Sequence, residues 1–283
     1  MYNRQIAYTE EITVRYEETQ EKLFIKNHYH NTYEMIFITE GKAIVRINSR
    51  YYEAGPGSLI FISHLESHEV EVLCYPYKRY YLLVRPQLFQ SIIDDQRLGS
   101  IFKNRPGNFI HMLVLNEAEI ADITLFFIQI KKELDSELDF KIKSAAALMH
   151  LLVIRLYRDH RQCFPLTDTT GQTNIIYQIQ KYIEEHYLEP VTLKSIADIF
   201  YLDMYYLSRL FKKISGFPFK EYVIKQRLSA AKELLVNSDI SITEVCSSSG
   251  FCNVNHFIRI FKQNEGTSPY QYRIKYRKTN QIP

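Results

Sequence analysis

The sequence has no tryptophan and few of the residues that mark fibrous or cross-linked proteins, with 9 glycines, 9 prolines and 4 cysteines among 283 residues. So little glycine and proline excludes a collagen-like repeat, and a hydrophobic content of 46% excludes a wholly disordered chain. The cysteines are scattered and form no CxxC pair, which leaves zinc-finger and CxxC redox sites unsupported. We therefore expect reduced thiols in the cytosol. The four are Cys74, Cys163, Cys246 and Cys252.

Long hydrophobic runs are also missing from the sequence. No stretch of about 18 uninterrupted apolar residues occurs, so we expect no transmembrane helix and no membrane partner. The N-terminal segment carries acidic residues where the apolar core of a secretory signal would lie, and we expect a cytoplasmic protein. At roughly 100–200 residues per domain, the length predicts about two domains.

The net charge of +3 is unevenly distributed along the chain. Residues 174–283 contain 15 lysines and arginines against 10 acidic residues, whereas the preceding residues contain 20 against 22. A basic C-terminal third is a weak indication of a polyanionic partner, because many solvated surfaces are equally basic.

The N-terminal part of the chain carries the pattern of short β-strands. Between about residues 20 and 85, apolar or alternating runs are broken by turn-forming residues such as Gly41, which is typical of a sandwich or a barrel. Two amphipathic helices are predicted over 117–135 and 139–158, where apolar residues recur every three or four positions. We expect their apolar stripes to hold a homodimer together.

A polar segment over residues 162–173, which contains Pro165 and Gly171, is the predicted linker. The fold class that we predict is therefore α+β and multidomain. Residues 1–161 would form a β-barrel with a helical pair at its C-terminal end, and residues 174–283 an all-α domain.

The helical third of the sequence repeats itself. Residues 206–222 can be laid over residues 256–272 at an offset of 50, which pairs Arg209 with Arg259 and Lys212 with Lys262. Upstream of these segments the offset becomes 49, and the difference falls in the turn between two helices. Each copy is typical of a helix-turn-helix module. Two copies are too few for a solenoid, so we predict a tandem pair.

The second helix of each module is predicted to begin after a capping residue, Asp203 in the first copy and Asn253 in the second. Its outward face follows helical spacing and combines one arginine with a lysine one turn later. Arginine can contact guanine O6 and N7 together, and lysine can neutralise a phosphate, so double-stranded DNA is the predicted partner. The predicted DNA-binding residues are Tyr205, Ser208, Arg209, Lys212, Asn255, Ile258, Arg259 and Lys262.

The last hundred or so residues resemble the DNA-binding domain of AraC/XylS-type bacterial transcription regulators. The resemblance rests on RLSAAKELL at 227–235, SITEV at 241–245, FIRIFK at 257–262 and GTSPYQYR at 266–273. It implies base reading by Tyr205, Ser208 and Arg209 in one module and by Asn255 and Arg259 in the other. The sequence departs from the family pattern at Cys246, where the family usually carries alanine. This difference replaces one small residue by another.

A histidine cluster stands out in the β-rich part. His28, His30, Glu34 and Gly41 follow the spacing HxHx3Ex6G of the first cupin motif, and His68 ends a later apolar strand in a looser match to the second. Three imidazoles, or two with a carboxylate, can bind a divalent transition metal. The same groups can also line a small-molecule pocket. Because sensor domains of the AraC type resemble cupins and often keep this motif without a metal, we predict an effector pocket and no metal or cofactor. Its residues would be His28, His30, Tyr33, Glu34 and His68.

Three functional hypotheses follow from these patterns. The first is a transcription regulator with a cupin-like sensor domain, and RNA polymerase as a partner if it activates. The second is a metal-dependent cupin enzyme, and the third is a DNA-binding protein whose barrel only holds another protein. The sequence has no GxGxxG, GxxxxGKS or GxSxG segment, so we predict no catalytic residues and favour the first hypothesis.

Overall fold

The structure, a computed structural model, describes residues 11–48, 50–103, 105, 109–165 and 171–280. These residues form two compact units, the first ending at residue 165 and the second beginning at residue 171. The first unit combines strands with helices, and the described part of the second is entirely helical. This confirms the predicted α+β architecture. Every helix in the described ranges is too short or too polar to cross a lipid bilayer.

The strands of the first unit form one antiparallel sheet in the order β1-β6-β3-β5-β7, with β2 paired to β6 and β4 paired to β3. Two of them, β3 and β6, are long enough to pair with different neighbours along their length. The strands are β1 (Ile12–Thr19), β2 (Phe24–His28), β3 (Tyr33–Ile47), β4 (Arg50–Ala54), β5 (Ser58–Ile62), β6 (His68–Val84) and β7 (Met112–Val114).

The pairing of β3 with β6 is interrupted by register shifts between Ile38 and Ala43. Gly41 lies within these bulges at a φ of 80°, and a Cβ there would lie 2.5 Å from the carbonyl oxygen of Pro76. Only glycine fits this position, because the backbone is left-handed and a neighbouring strand approaches closely. The bulges divide β3 into a first half that pairs with β5 and a second half that pairs with β4.

Four α-helices lie in the described part of the first unit, and the two long ones complete its core. They are α1 (Pro86–Ile92), α2 (Gln96–Gly99), α3 (Glu117–Asp135) and α4 (Lys141–Asp159). The apolar stripes that the sequence predicts on α3 and α4 pack with β-strand residues such as Met35 and Phe37 in one hydrophobic core. These stripes are therefore covered by their own domain. Periodicity identifies an apolar face, but it does not say which surface covers that face.

The predicted linker over 162–173 is too long at both ends. Phe164 is 2% exposed and packs its ring against Tyr157 of α4, since an aromatic ring of this size gains more from burial than the polar residues around it. The next helix already begins at Gly171, and residues 166–170 lie outside the described residues.

Six more helices follow this one in the described part of the second unit. Its helices are α5 (Gly171–His186), α6 (Leu193–Ile199), α7 (Met204–Ser215), α8 (Phe219–Asn237), α9 (Ile242–Ser248), α10 (Val254–Glu265) and α11 (Pro269–Asn280). The helix pairs α6–α7 and α9–α10 are the two predicted modules, and α8 connects them. Leu228 and Leu235 of α8 are buried in one cluster with Val245, Phe257 and Phe261 of the second module.

Candidate nucleic-acid interface and candidate ligand site

The first module is capped at both of its helices. Thr192 precedes α6, and its hydroxyl accepts a hydrogen bond of 3.0 Å from the backbone N–H of Ser195. Asp203 precedes α7, and its carboxylate accepts a hydrogen bond of 2.8 Å from the backbone N–H of Tyr206. These bonds satisfy N–H groups that the helices leave unpaired, and they fix where each helix begins.

The second module repeats this arrangement. Ser241 and Glu244 form a reciprocal capping box at α9, and Asn253 accepts a hydrogen bond of 2.9 Å from the backbone N–H of His256 at α10. The predicted caps Asp203 and Asn253 are therefore confirmed.

The turns of the two modules have the same unusual backbone. Tyr201 has a φ of 53°, and Gly250, which matches it at the offset of 49, has a φ of 84°. Side chains are costly in this left-handed region, so its recurrence at equivalent positions shows that the repeat extends to the main chain. The surroundings differ: the Tyr201 side chain is 95% exposed, whereas a Cβ on Gly250 would lie 2.7 Å from the carbonyl oxygen of Tyr187.

Each second helix divides its residues between a buried and an exposed face. In α7 the buried side chains are Leu207, Leu210 and Phe211, and in α10 they are Phe257 and Phe261. All eight predicted DNA-binding residues lie on the exposed faces: Tyr205, Ser208, Arg209, Lys212, Asn255, Ile258, Arg259 and Lys262.

The cationic side chains on these faces have no counter-ion among the residues that the structure describes. Among the described residues, no hydrogen bond or ion pair engages the side chains of Arg209, Lys212, Arg259 or Lys262. Four positive charges on two equivalent, solvent-facing helices are available to a polyanion.

Other cations of the same unit are used internally, a role that the sequence analysis did not assign. Arg227 of α8 donates to the carbonyl oxygens of Tyr187 and Glu189, at 2.8 and 2.7 Å. Lys232 of α8 forms an ion pair of 3.1 Å with Glu265 at the end of α10, and both side chains are 9% exposed. These contacts fix α8 to the loop before α6 and to the second module. Helical periodicity gives a partial signal, because Arg227 and Lys232 lie next to Leu228 and Ala231, which are buried on α8.

The first unit brings His28, His30, Glu34 and His68 together. Glu34 Oε2 lies 3.0 Å from His30 Nε2 and 3.2 Å from His68 Nε2. One ring nitrogen from each of the three histidines lies within 4.8 Å of the others. His28 and His68 are direct partners in the β2–β6 register, and Glu34 lies on β3, so paired strands hold the cluster.

The cluster is largely shielded from solvent. His30, Glu34 and His68 are 3%, 7% and 1% exposed, and His28 is half-buried. Burial, together with the neighbouring imidazoles of His68 and His30, holds the pKa of His28 well below its ordinary value. Burial alone would raise the pKa of Glu34, but hydrogen bonds with His30 and His68 hold it well below its ordinary value. Glu34 is therefore a buried carboxylate among three imidazoles.

Tyr33 does not join these residues, and its predicted place in the same pocket is wrong. Successive residues of a strand point to opposite faces of the sheet, so Tyr33 and Glu34 are directed apart. The Tyr33 ring packs in the hydrophobic core against Phe89 and Phe102, at centroid distances of 4.8 and 5.1 Å.

A second buried network contacts the cluster through His68. The Glu66 carboxylate pairs with Arg105 and with His111 Nε2, the latter at 3.0 Å. Burial would raise the pKa of Glu66, but Arg105 and His111 lower it to about 2. The backbone carbonyl of Glu66 lies 2.9 Å from His68 Nδ1, so the residue that this network fixes also orients His68.

Two capped helix-turn-helix modules with exposed cationic helices, following a sheet with a buried polar cluster, define a two-domain protein of the DNA-binding regulator class. Residues 12–152 match the model of the AraC-like ligand binding domain, and residues 196–275 match that of a helix-turn-helix domain. Together the matches cover more than three quarters of the chain. The chain therefore belongs to the AraC-type transcription regulators.

Individual relatives agree with this assignment. The chain is 38% identical to the uncharacterized regulator YijO of Escherichia coli K12 over 109 residues, which are 38% of either chain. It is 24% identical to the transcriptional activator RhaS of Enterobacter sp. (strain 638) over 87% of this chain and 86% of that one. The solved structure of ToxT from Vibrio cholerae matches 94% of this chain and 98% of its own, at 15% identity and a TM-score of 0.63, and so shares the fold.

Proposed function

We propose that this protein is a sequence-specific, DNA-binding transcription regulator that responds to a small molecule. The observation that carries the proposal is the pair of equivalent helices, α7 and α10, whose exposed faces present arginine and lysine side chains that pair with nothing in the described part of the chain. A recognition helix of a helix-turn-helix module enters the major groove and reads base edges there. Two such helices in one chain can read two adjacent segments of one DNA site.

The side chains on these helices divide by chemistry into base-reading and phosphate-binding groups. Arg209 and Arg259 can each form two hydrogen bonds to one guanine, and Lys212 and Lys262 can pair with phosphates. The neighbouring exposed residues supply further base contacts, polar in most cases and apolar at Ile258. They are Tyr205, Ser208, Asn255 and Ile258.

The sensing role is assigned to the first unit. Its His28, His30, Glu34 and His68 cluster lies on paired strands and in the segment between β2 and β3, and largely buried polar groups that converge on one point are typical of a ligand site. We assign no catalytic role to the chain. Because its partner is DNA, we propose that the protein acts in the cytoplasm. RNA polymerase is a further partner if the protein activates transcription.

In vitro selection tests this function directly. The full-length chain is incubated with a pool of random duplexes, and bound DNA is sequenced over several rounds. We expect one enriched motif with two conserved segments, bound with a strong dependence on salt. A pool that stays random after selection would contradict sequence-specific binding.

A homodimer is also part of the proposal, through the outer face of α3 and α4. Arg155 of α4 pairs with Asp122 of α3 at 3.3 Å, and Leu151 and Leu125 each lie about one helical turn from these residues. Leu125 and Leu151 are 56% and 54% exposed, apart from the stripes that the core covers, and they are the apolar residues that we propose for the interface. Repeated half-sites in DNA suit a two-fold dimer.

Sedimentation velocity of the double variant Leu125→Glu/Leu151→Glu is expected to give a monomer where the unaltered chain gives a dimer, because four buried carboxylates would oppose the interface. Leu138→Glu, at a 70% exposed leucine between the two helices, is the matched control and should leave the dimer intact. A monomeric unaltered chain at tens of micromolar would count against this interface.

A further inference from the structure

The donor atoms of the histidine cluster are those of a metal site. A zinc ion with Zn–N distances of about 2.0–2.1 Å holds tetrahedral nitrogens about 3.4 Å apart. The ring nitrogens of His28, His30 and His68 lie within 4.8 Å of one another, so small inward ring rotations bring them to that separation. Glu34 Oε2, already near two of these nitrogens, supplies a fourth, anionic donor.

The second ring nitrogen of each histidine is held as in metal-bound histidines. His28 Nδ1 lies 2.9 Å from the carbonyl oxygen of Lys26, His30 Nδ1 lies 3.2 Å from that of Thr32, and His68 Nδ1 lies 2.9 Å from that of Glu66. A carbonyl oxygen only accepts, so the contacts of His28 and His68 favour a ring proton on Nδ1 and a lone pair on Nε2, whereas His30 Nδ1 also lies 2.7 Å from the Thr32 hydroxyl, which can donate or accept. Such backbone partners orient imidazole ligands and fix their tautomer.

Glu34 makes a cation the better occupant than a neutral polar molecule. Its buried carboxylate lies 3.0 Å from His30 Nε2 and 3.2 Å from His68 Nε2. A bound cation would offset the cost of burying this negative charge and would take the carboxylate as a ligand beside the two imidazoles.

The mixture of donors selects the kind of ion. Three imidazoles and one carboxylate suit zinc and the other divalent first-row transition metals, whereas magnesium and calcium prefer oxygen donors throughout. The protein also shields the ion well, because His30, Glu34 and His68 are almost fully buried. The half-buried His28 leaves one side through which an ion can enter.

We infer that His28, His30 and His68, through Nε2, and Glu34 bind one divalent first-row transition metal ion. The inference rests on the sensing role proposed above and names its chemistry. The ion would tie β2 to β3 and β6, and it would itself be the signal.

Cobalt titration tests the site. The full-length chain is stripped with EDTA, and Co²⁺ is added while visible absorbance is recorded. We expect saturation at one ion per chain, a higher melting temperature with metal than without, and displacement by Zn²⁺ and EDTA. His28→Gln replaces the most accessible ligand and should weaken Co²⁺ binding at least tenfold.

The control is His64→Gln, a half-buried histidine of the same unit whose ring packs edge-on against Tyr33 and lies outside the cluster. It should bind one Co²⁺ as the unaltered chain does. Circular dichroism of each metal-free variant shows whether it is folded, and His30→Gln provides a second ligand variant if His28→Gln is not.

Two results would overturn the metal site. One is that the folded chain binds no stoichiometric Co²⁺ or Zn²⁺, and the other is that His64→Gln loses as much Co²⁺ affinity as the ligand variants. An organic molecule that co-purifies and is released by His30→Gln, with no metal bound, would also overturn it. DNA selection on the same preparations separates the two proposals, because an enriched motif without metal binding leaves the regulator function standing.

Discussion

Replacing Arg209 or Arg259 by alanine is expected to weaken binding to the selected DNA by about 1–3 kcal/mol, roughly 5- to 150-fold, and to relax base preference at one position. The two arginines are equivalent in the repeat, exposed, and without an internal partner among the described residues. Each can satisfy both acceptors of a guanine edge, which a wrong base pair does not offer. Competition binding against selected and random duplexes measures both effects.

Lysine variants distinguish base reading from charge. Lys212→Ala and Lys262→Ala should weaken binding to selected and random duplexes alike, and lower the slope of log K against log salt by about one. Lys194→Ala, on the exposed side of α6, is the matched control for lost charge outside the recognition helices. If the arginine variants lose as much affinity for random DNA as for the selected motif, their proposed role is wrong.

The helical unit was predictable because its signals are local. Asp203 and Asn253 each cap a helix that starts at the next residue, and the repeat aligns both modules without any long-range information. The exposed positions then follow from a period of 3.6 residues alone. The internal roles of Arg227 and Lys232 were not predictable, since their partners lie 38 and 33 residues away and are set by how helices pack.

The ligand site was predictable only in part. The spacing of His28, His30 and Glu34 reflects one strand and the start of the next, whereas His68 joins them through the β2–β6 register. Tyr33 was misplaced because sequence proximity to Glu34 was allowed to outweigh the alternation of a strand. The Glu66 network joins residues 39 and 45 positions apart, and no sequence pattern indicated it.

The two turns at Tyr201 and Gly250 lead to a prediction that the repeat alone would not give. The two positions are equivalent in the repeat and both have a left-handed backbone, which suggests that they tolerate substitution equally. Their surroundings, however, differ, because one position is packed and the other is exposed. A Cβ at position 250 would lie 2.7 Å from Tyr187 O and 3.1 Å from Leu188 Cα, both main-chain atoms that other contacts hold in place, whereas Tyr201 is almost fully in solvent.

Gly250→Ala is therefore expected to destabilise the helical unit by about 2–4 kcal/mol, because left-handed strain of about 1–2 kcal/mol adds to a backbone clash. The reverse change, Tyr201→Gly, should alter stability by less than about 1 kcal/mol, since released strain and added chain entropy nearly cancel. Hydrogen exchange resolved to peptides of α8, α9 and α10, with urea denaturation of each variant, measures both. Equal destabilisation by the two substitutions would show that the contact between Gly250 and the Tyr187 carbonyl does not constrain the second module.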